Sequence, residues 1–134
     1  MIVEMSLNTY QKHAASTTIY PKDILRRTTN ENNKEFETFL PLHLVYPTLG
    51  LCGESGEVAE KVKKAIRDKW PLHDLREAVV KELGDVLWYV AAIATDLGVT
   101  LEHVAAMNLH KLQTRKKTNT LSGSGDHREL GGEG

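Results

Sequence analysis

The sequence predicts an all-α fold, an antiparallel helical bundle of three long helices with a short N-terminal helix. Three observations predict it. Apolar residues recur at three- and four-residue spacing over three long stretches, no alternating apolar–polar run of useful length occurs, and the connections between stretches are short enough to join antiparallel neighbours.

The first element is a short helix over about residues 7–16, capped by Ser6, with Leu7, Tyr10 and Ala14 on one face. Between residues 20 and 42, Pro21, Asn30, Asn32, Asn33 and Pro41 interrupt any periodicity, so this stretch reads as loop with one helical turn near 35–39. A long helix follows over 44–68, where Leu51, Ser55, Val58, Val62 and Ile66 share a face; Pro47 sits in its first turn or kinks an earlier start. Asp74 and Glu77 make an acidic capping box for the next helix, which turns Leu75, Val79, Leu83, Val86, Val90 and Leu97 inward and ends at Gly98. Thr100 caps the last helix, with Leu101, Val104, Ala105, Leu109 and Leu112 inward, fading near Lys117. The organisation expected is one domain over residues 1–121 and a Gly/Ser-rich tail over 122–134.

Seventeen basic and eighteen acidic residues leave a net charge of −1, so no global field draws the chain to polymeric nucleic acid or an anionic membrane. The single cysteine, Cys52, excludes an intrachain disulfide and a multi-thiolate zinc site. No window approaches the roughly 18 apolar residues of a membrane span, and residues 1–20 lack a leader pattern. These features together predict a soluble, cytoplasmic protein.

Glu54-Ser-Gly-Glu57 puts two carboxylates at i and i+3 on one helix, and Glu82-Leu-Gly-Asp85 does the same on the next. A turn beside Trp70-Pro71 is equidistant from both pairs, so folding the helices together sets four acids level, roughly 20 Å from that turn at about 1.5 Å per residue. Glu82 and Asp85 lie beside Val79, Leu83 and Val86, and inward carboxylates destabilise a fold unless paired or metal-bound. Gly56 and Gly84, each about 1 kcal/mol worse than alanine in a helix, suggest a need for close approach. The alternative is a set of solvated acids paired with Lys61, Lys64 or Lys81. An all-oxygen donor set suits magnesium or manganese. None of the six histidines follows a glutamate by three residues, so the ferritin-like di-iron motif is absent. Magnesium is usually completed by substrate phosphates, which makes a phosphorylated ligand the expected partner.

Asn108, Lys111 and Arg115 project within an arc of about 60° on the last helix and make a natural polyphosphate clamp; a solvated basic helix end is the competing reading. Lys61 and Lys64 continue the face of Glu54 and Glu57 and can reach phosphate or neutralise the acids. Trp70, Trp88, Tyr89 and Tyr10 are candidate stacking partners for a base, although aromatic residues at helical spacing are more often core. Asn8 and Gln11 are candidates for base recognition or members of a solvated face.

The stretch from Gly50 through Glu54, Glu57 and Glu60, together with Lys81-Glu-Leu-Gly-Asp-Val-Leu-Trp-Tyr89, resembles the MazG-like branch of the all-α nucleotide pyrophosphohydrolases. That family's ExxE, spacer, ExxD pattern is filled by Glu54, Glu57, Glu82 and Asp85, and Asn108-x-x-Lys111-x-x-x-Arg115 resembles its phosphate-contacting stretch. The resemblance implies hydrolysis of a nucleoside triphosphate between the α and β phosphates. It also implies two or more magnesium ions, with manganese substituting, and a homodimer or tetramer whose sites form partly between subunits. Glu54 or Glu57 is then the candidate proton acceptor, and Asn108, Lys111, Arg115, Lys61 and Lys64 the candidate substrate contacts. The small size is similar to single-domain phage and bacterial versions, which leans the substrate toward dGTP or GTP and the location toward a host cytoplasm. A dUTPase-like or house-cleaning enzyme, or a non-catalytic cation- or nucleotide-binding helical oligomer, are the alternatives.

Overall fold

The computed structural model describes residues 5–21, 24–29, 32, 35–40 and 42–122, with the backbone alone for 24–29, 35–40 and 42. Most of the expected tail, 123–134, lies outside the described residues. The chain runs α1 (Leu7–Ala15), β1 (Ile24–Thr29), β2 (Glu35–Leu40), α2 (Leu42–Asp68), α3 (Leu72–Asp96) and α4 (Leu101–Lys117). The expected all-α scaffold of three long helices and one short one is therefore present, and a hairpin is added to it.

That hairpin corrects the loop expected before α2. Strands β1 and β2 pair antiparallel, with Ile24 opposite Leu40 and Thr29 opposite Glu35. Residues 35–39, read as a helical turn, belong to β2. The physical reason lies in composition: Ile24, Thr28, Thr29, Phe36, Thr38 and Phe39 are β-branched or aromatic, and the asparagines that broke the helical pattern fall in the link between the strands.

Helix α1 is capped as expected, with Ser6 Oγ accepting from the Thr9 amide at 3.1 Å. Helix α2 starts at Leu42, so Pro47 is inside it with its side chain fully buried. Pro47 removes the amide that would have bonded the His43 carbonyl. Helix α3 starts two residues before Asp74, with Pro71 at the N-cap and no side-chain cap. The predicted capping box is thus not formed: extended Pro71 leads straight into the first turn, and Asp74 pairs with His73 at 2.7 Å. Thr100 caps α4, accepting from the His103 amide at 3.1 Å.

Three long helices end the same way, with a left-handed residue and an amide reaching back five residues. Trp70 N–H donates to Ala65 O past Lys69 (φ 54°), Val99 N–H to Ala94 O past Gly98 (φ 71°), and Thr120 N–H to Arg115 O past Asn119 (φ 56°). Gly98 fits this conformation freely, whereas Lys69 holds it against its Cβ. Lys69→Gly is expected to stabilise the α2–α3 turn by about 1 kcal/mol, read as an increased denaturant midpoint.

Helices α2 and α3 form an antiparallel hairpin and α1 packs on α3 near its C-terminal end. The core there is small-residued: Ala14, Ala91, Ala94 and Leu101 are buried, with Tyr10, Trp88, Val90 and Val99 against them. Helix α4 does not fold back as a third antiparallel member, because its axis turns by 101° from α3. Gln11 holds this elbow, donating to Val99 O at 2.8 Å and accepting from the Leu101 amide at 2.8 Å.

The crosswise α4 explains which predicted core residues are exposed. Val62, Ile66, Leu83, Leu97, Val104, Leu109 and Leu112, all expected to face inward, are exposed, with Ile66 at 75% and Leu109 at 58%. Among the described residues the short α1 packs on the α2–α3 pair, near the C-terminal end of α3, and no long helix covers the remaining apolar stripe. Among the described residues no single helix is long and apolar enough to cross a membrane.

Candidate active site

One ligand oxygen from each of Glu54 on α2 and Glu82 and Asp85 on α3 lies within 4.8 Å of the other two. The convergence follows from the turn at Lys69 to Pro71, which reverses the chain at a point equidistant from the two acidic pairs. Glu54 and Glu82 are half-buried and Asp85 is exposed. Burial raises the Glu54 carboxyl above its ordinary value, and the nearby charges of Asp85, Glu82 and Glu57 raise it further. Like charges this close repel, so the arrangement asks for a counter-cation.

Lys61 supplies part of it. Its Nζ lies 3.1 Å from Glu82 Oε1, and this bond, with the Glu82 charge behind it, raises the lysine's pKa. Lys64 turns elsewhere, pairing with Glu60 at 3.3 Å. Glu57 is exposed and stands outside the three-carboxylate group, although its charge reaches both Glu54 and Lys61. An oxygen-only donor set, partly desolvated and mutually repelling, fits a hard divalent cation.

Asn108 and Lys111 line a groove on one side of α4 with Val104, Met107, His110 and Thr114. Arg115, predicted beside them, is only 3% exposed and does not line that groove. Nor does the chain bring this strip to its own acids. Asp85 is eleven residues from the end of α3 and Lys111 ten residues into α4, legs of about 16 and 15 Å. With the axes turned by 101°, they stand about 20 Å apart.

The packing of Tyr89, a candidate base-stacking residue, against Gly50 was not foreseen from the motifs. A Cβ on Gly50 would lie 2.1 Å from Tyr89 Cε1, so the Tyr89 ring rests directly on the α2 backbone. Gly56 and Gly84 border open space: a Cβ at either would meet no atom of the described residues within 4 Å. Gly50 precedes Glu54 by one helical turn, and Tyr89 follows Asp85 by one, a spacing visible in the sequence. Gly50→Ala is expected to displace the ring and destabilise the fold by about 1–3 kcal/mol, seen as a lower melting temperature.

The other aromatic and amide candidates are structural. Trp88 Nε1 donates to Thr17 Oγ1 at 2.8 Å, Tyr10 packs against the core, and the Gln11 amide is consumed at the elbow. Asn8 Oδ1 accepts from the Glu102 amide at 3.3 Å.

Comparison with known proteins agrees with this geometry. The MazG nucleotide pyrophosphohydrolase domain matches residues 47–120, which contain both acidic pairs and the α4 strip. The chain is 51% identical over 87 residues to "Gene 37 protein" of Mycobacterium phage L5, covering 63% of this chain and 76% of that protein. No solved structure matches. With the family's domain spanning more than half of the chain and three of its four acids meeting across α2 and α3, the protein belongs to the MazG nucleotide pyrophosphohydrolase family.

Proposed function

We propose that the protein hydrolyses nucleoside triphosphates to the monophosphate and pyrophosphate in a reaction that requires a divalent cation. The observation that carries this reading is the meeting of Glu54, Glu82 and Asp85 oxygens within 4.8 Å, with Glu54 held above its ordinary pKa by its neighbours. These three carboxylates would hold magnesium or manganese, with Glu57 beside them. A bound divalent cation there would polarise phosphate oxygens and offset the charge of the leaving pyrophosphate.

Glu57, exposed and outside the three-carboxylate group, is the residue left to take a proton. In the reaction a water oxygen bonds to the α-phosphorus and the bond from the α-phosphorus to the α–β bridging oxygen breaks, with the water's proton passing to Glu57 and the bridging oxygen leaving as part of pyrophosphate. Lys61, beside Glu82, steadies the departing negative charge.

Asn108 and Lys111 serve the site of a second subunit rather than their own. The turn of α4 by 101° away from α3, which by helix rise sets the two strips about 20 Å apart, supports this, as do the exposed apolar residues of α4 (Val104, Met107, Leu109 and Leu112). The assembly proposed is a homodimer or tetramer acting on free nucleotides in the cytoplasm. For the base, likeness to phage-type enzymes supports a guanine nucleotide, dGTP or GTP, and the relative of 51% identity is a phage protein.

Product analysis by ion-exchange chromatography tests the reaction. Each ribo- and deoxynucleoside triphosphate is incubated with the purified chain, with and without magnesium. Monophosphate and pyrophosphate in equal amounts, only with the cation, is the expected result; no product from any triphosphate overturns the assignment and favours a binding protein.

A further inference from the structure

The acidic cluster has two chemically different ends along α2. On the side toward the α2–α3 turn lies Lys61, seven residues beyond Glu54 and in contact with Glu82 at 3.1 Å. On the side away from the turn stand two aromatic side chains, Tyr89 and Tyr46. Tyr89 rests on Gly50, one turn from Glu54, and Tyr46 stands one turn further along the same face.

Tyr46 is not an isolated ring. Tyr20, itself buried, stacks beneath it with centroids 5.0 Å apart and planes 17° from parallel. Tyr20 then meets Trp88 edge-on at 6.4 Å, and its hydroxyl donates to Asp96. One face of Tyr46 is thus fixed against a braced ring, while the residue keeps 49% of its surface exposed. A tyrosine stacked on a buried ring and half exposed is a platform for a flat apolar group at low entropic cost.

Eight residues separate Tyr46 from Glu54, about 12 Å along the helix. That span suits a nucleoside whose α-phosphate is at the acids, and the lysine on the far side suits the β and γ phosphates. Resting on the reaction proposed above, we propose that the substrate lies along α2 in one direction, with its base on the exposed face of Tyr46 and its pyrophosphate portion toward Lys61.

The test is equilibrium titration calorimetry of the two product fragments, deoxyguanosine monophosphate and inorganic pyrophosphate, in magnesium, on the full chain and on variants. Tyr46→Ala is expected to weaken the monophosphate by about 5- to 100-fold, the range of one base–aromatic stack, and pyrophosphate by less than twofold. Tyr46→Phe, which keeps the ring, retains monophosphate binding. Lys61→Ala is expected to show the reverse, with pyrophosphate weakened and the monophosphate nearly unchanged. Equal losses of both fragments in either alanine variant, no loss of monophosphate affinity in Tyr46→Ala, or failure of the parent protein to bind either fragment overturns the orientation. These readouts need no turnover, so they separate failure of the orientation from failure of the hydrolytic assignment.

Discussion

Asp85→Asn and Glu54→Gln are expected to lower turnover by at least about 10³-fold, yet to raise the melting temperature of the protein in metal-free buffer. The two effects have one cause. Three carboxylates with oxygens within 4.8 Å repel one another, and the raised Glu54 value is the signature of that repulsion together with desolvation. A carboxyl whose pKa is raised in the folded protein binds its proton more tightly there than in the unfolded chain. Wherever the group is ionised it therefore works against folding. Replacing one member by a neutral amide of the same shape removes the repulsion and also removes a charge that would hold the cation, which is worth several kcal/mol to phosphoryl chemistry. Addition of magnesium should reverse the order, raising the melting point of the parent by mass action and leaving the variants nearly unmoved. Thermal denaturation with and without magnesium, beside a turnover assay, reads both arms. A variant that loses activity and stability together would point to a structural role for the cluster instead.

The second large effect is expected on α4, far from the acids. Leu109→Glu places a charge on a helix that exposes Val104, Met107, Leu109 and Leu112, and like-chain association through that face should be lost. Sedimentation velocity should then show a monomer, and activity should fall by at least about 10²-fold although every carboxylate is intact. Lys111→Ala should lose activity without dissociating. In the assembly proposed, mixing Lys111→Ala with Asp85→Asn subunits should restore part of it, because a mixed dimer would pair one intact acidic cluster with Lys111 of the partner subunit. Full activity of a monomeric Leu109→Glu protein would show that the site is complete within one chain.

Much of the site was legible because helical spacing and loop position are properties of sequence. Two ExxE/D pairs equidistant from a proline turn must come level when the helices fold back, and Glu54, Glu82 and Asp85 do so. Glu57 was harder to place, since a three-residue offset shares a face broadly yet puts the outer carboxylate beyond the shared centre. The caps of α1 and α4 and the end of α3 at Gly98 were equally readable from local chemistry.

What the sequence hid was tertiary. The turn of α4 away from α3 is fixed by Gln11 reaching across from α1 to Val99 and Leu101, a contact some ninety residues distant that no periodicity reveals. Once α4 swings out, Ile66, Leu83, Leu97 and Leu109 lose the neighbours that their spacing implied, and alanines become the core. The hairpin was missed because its apolar and polar residues do not alternate cleanly. Tyr46 and Gly50 were missed because a glycine under an aromatic ring has no sequence signature of its own, only its helical offset from Glu54.

Manganese uptake measured by electron paramagnetic resonance tests the central claim most directly, since free manganese gives a signal that disappears on binding. The parent protein should take up manganese, magnesium should compete for the same sites, and Asp85→Asn and Glu82→Gln should bind at least about tenfold more weakly. Equal uptake by the parent and both variants, or none by the parent at millimolar manganese with nucleotide present, would contradict the assignment of these carboxylates as a cation centre.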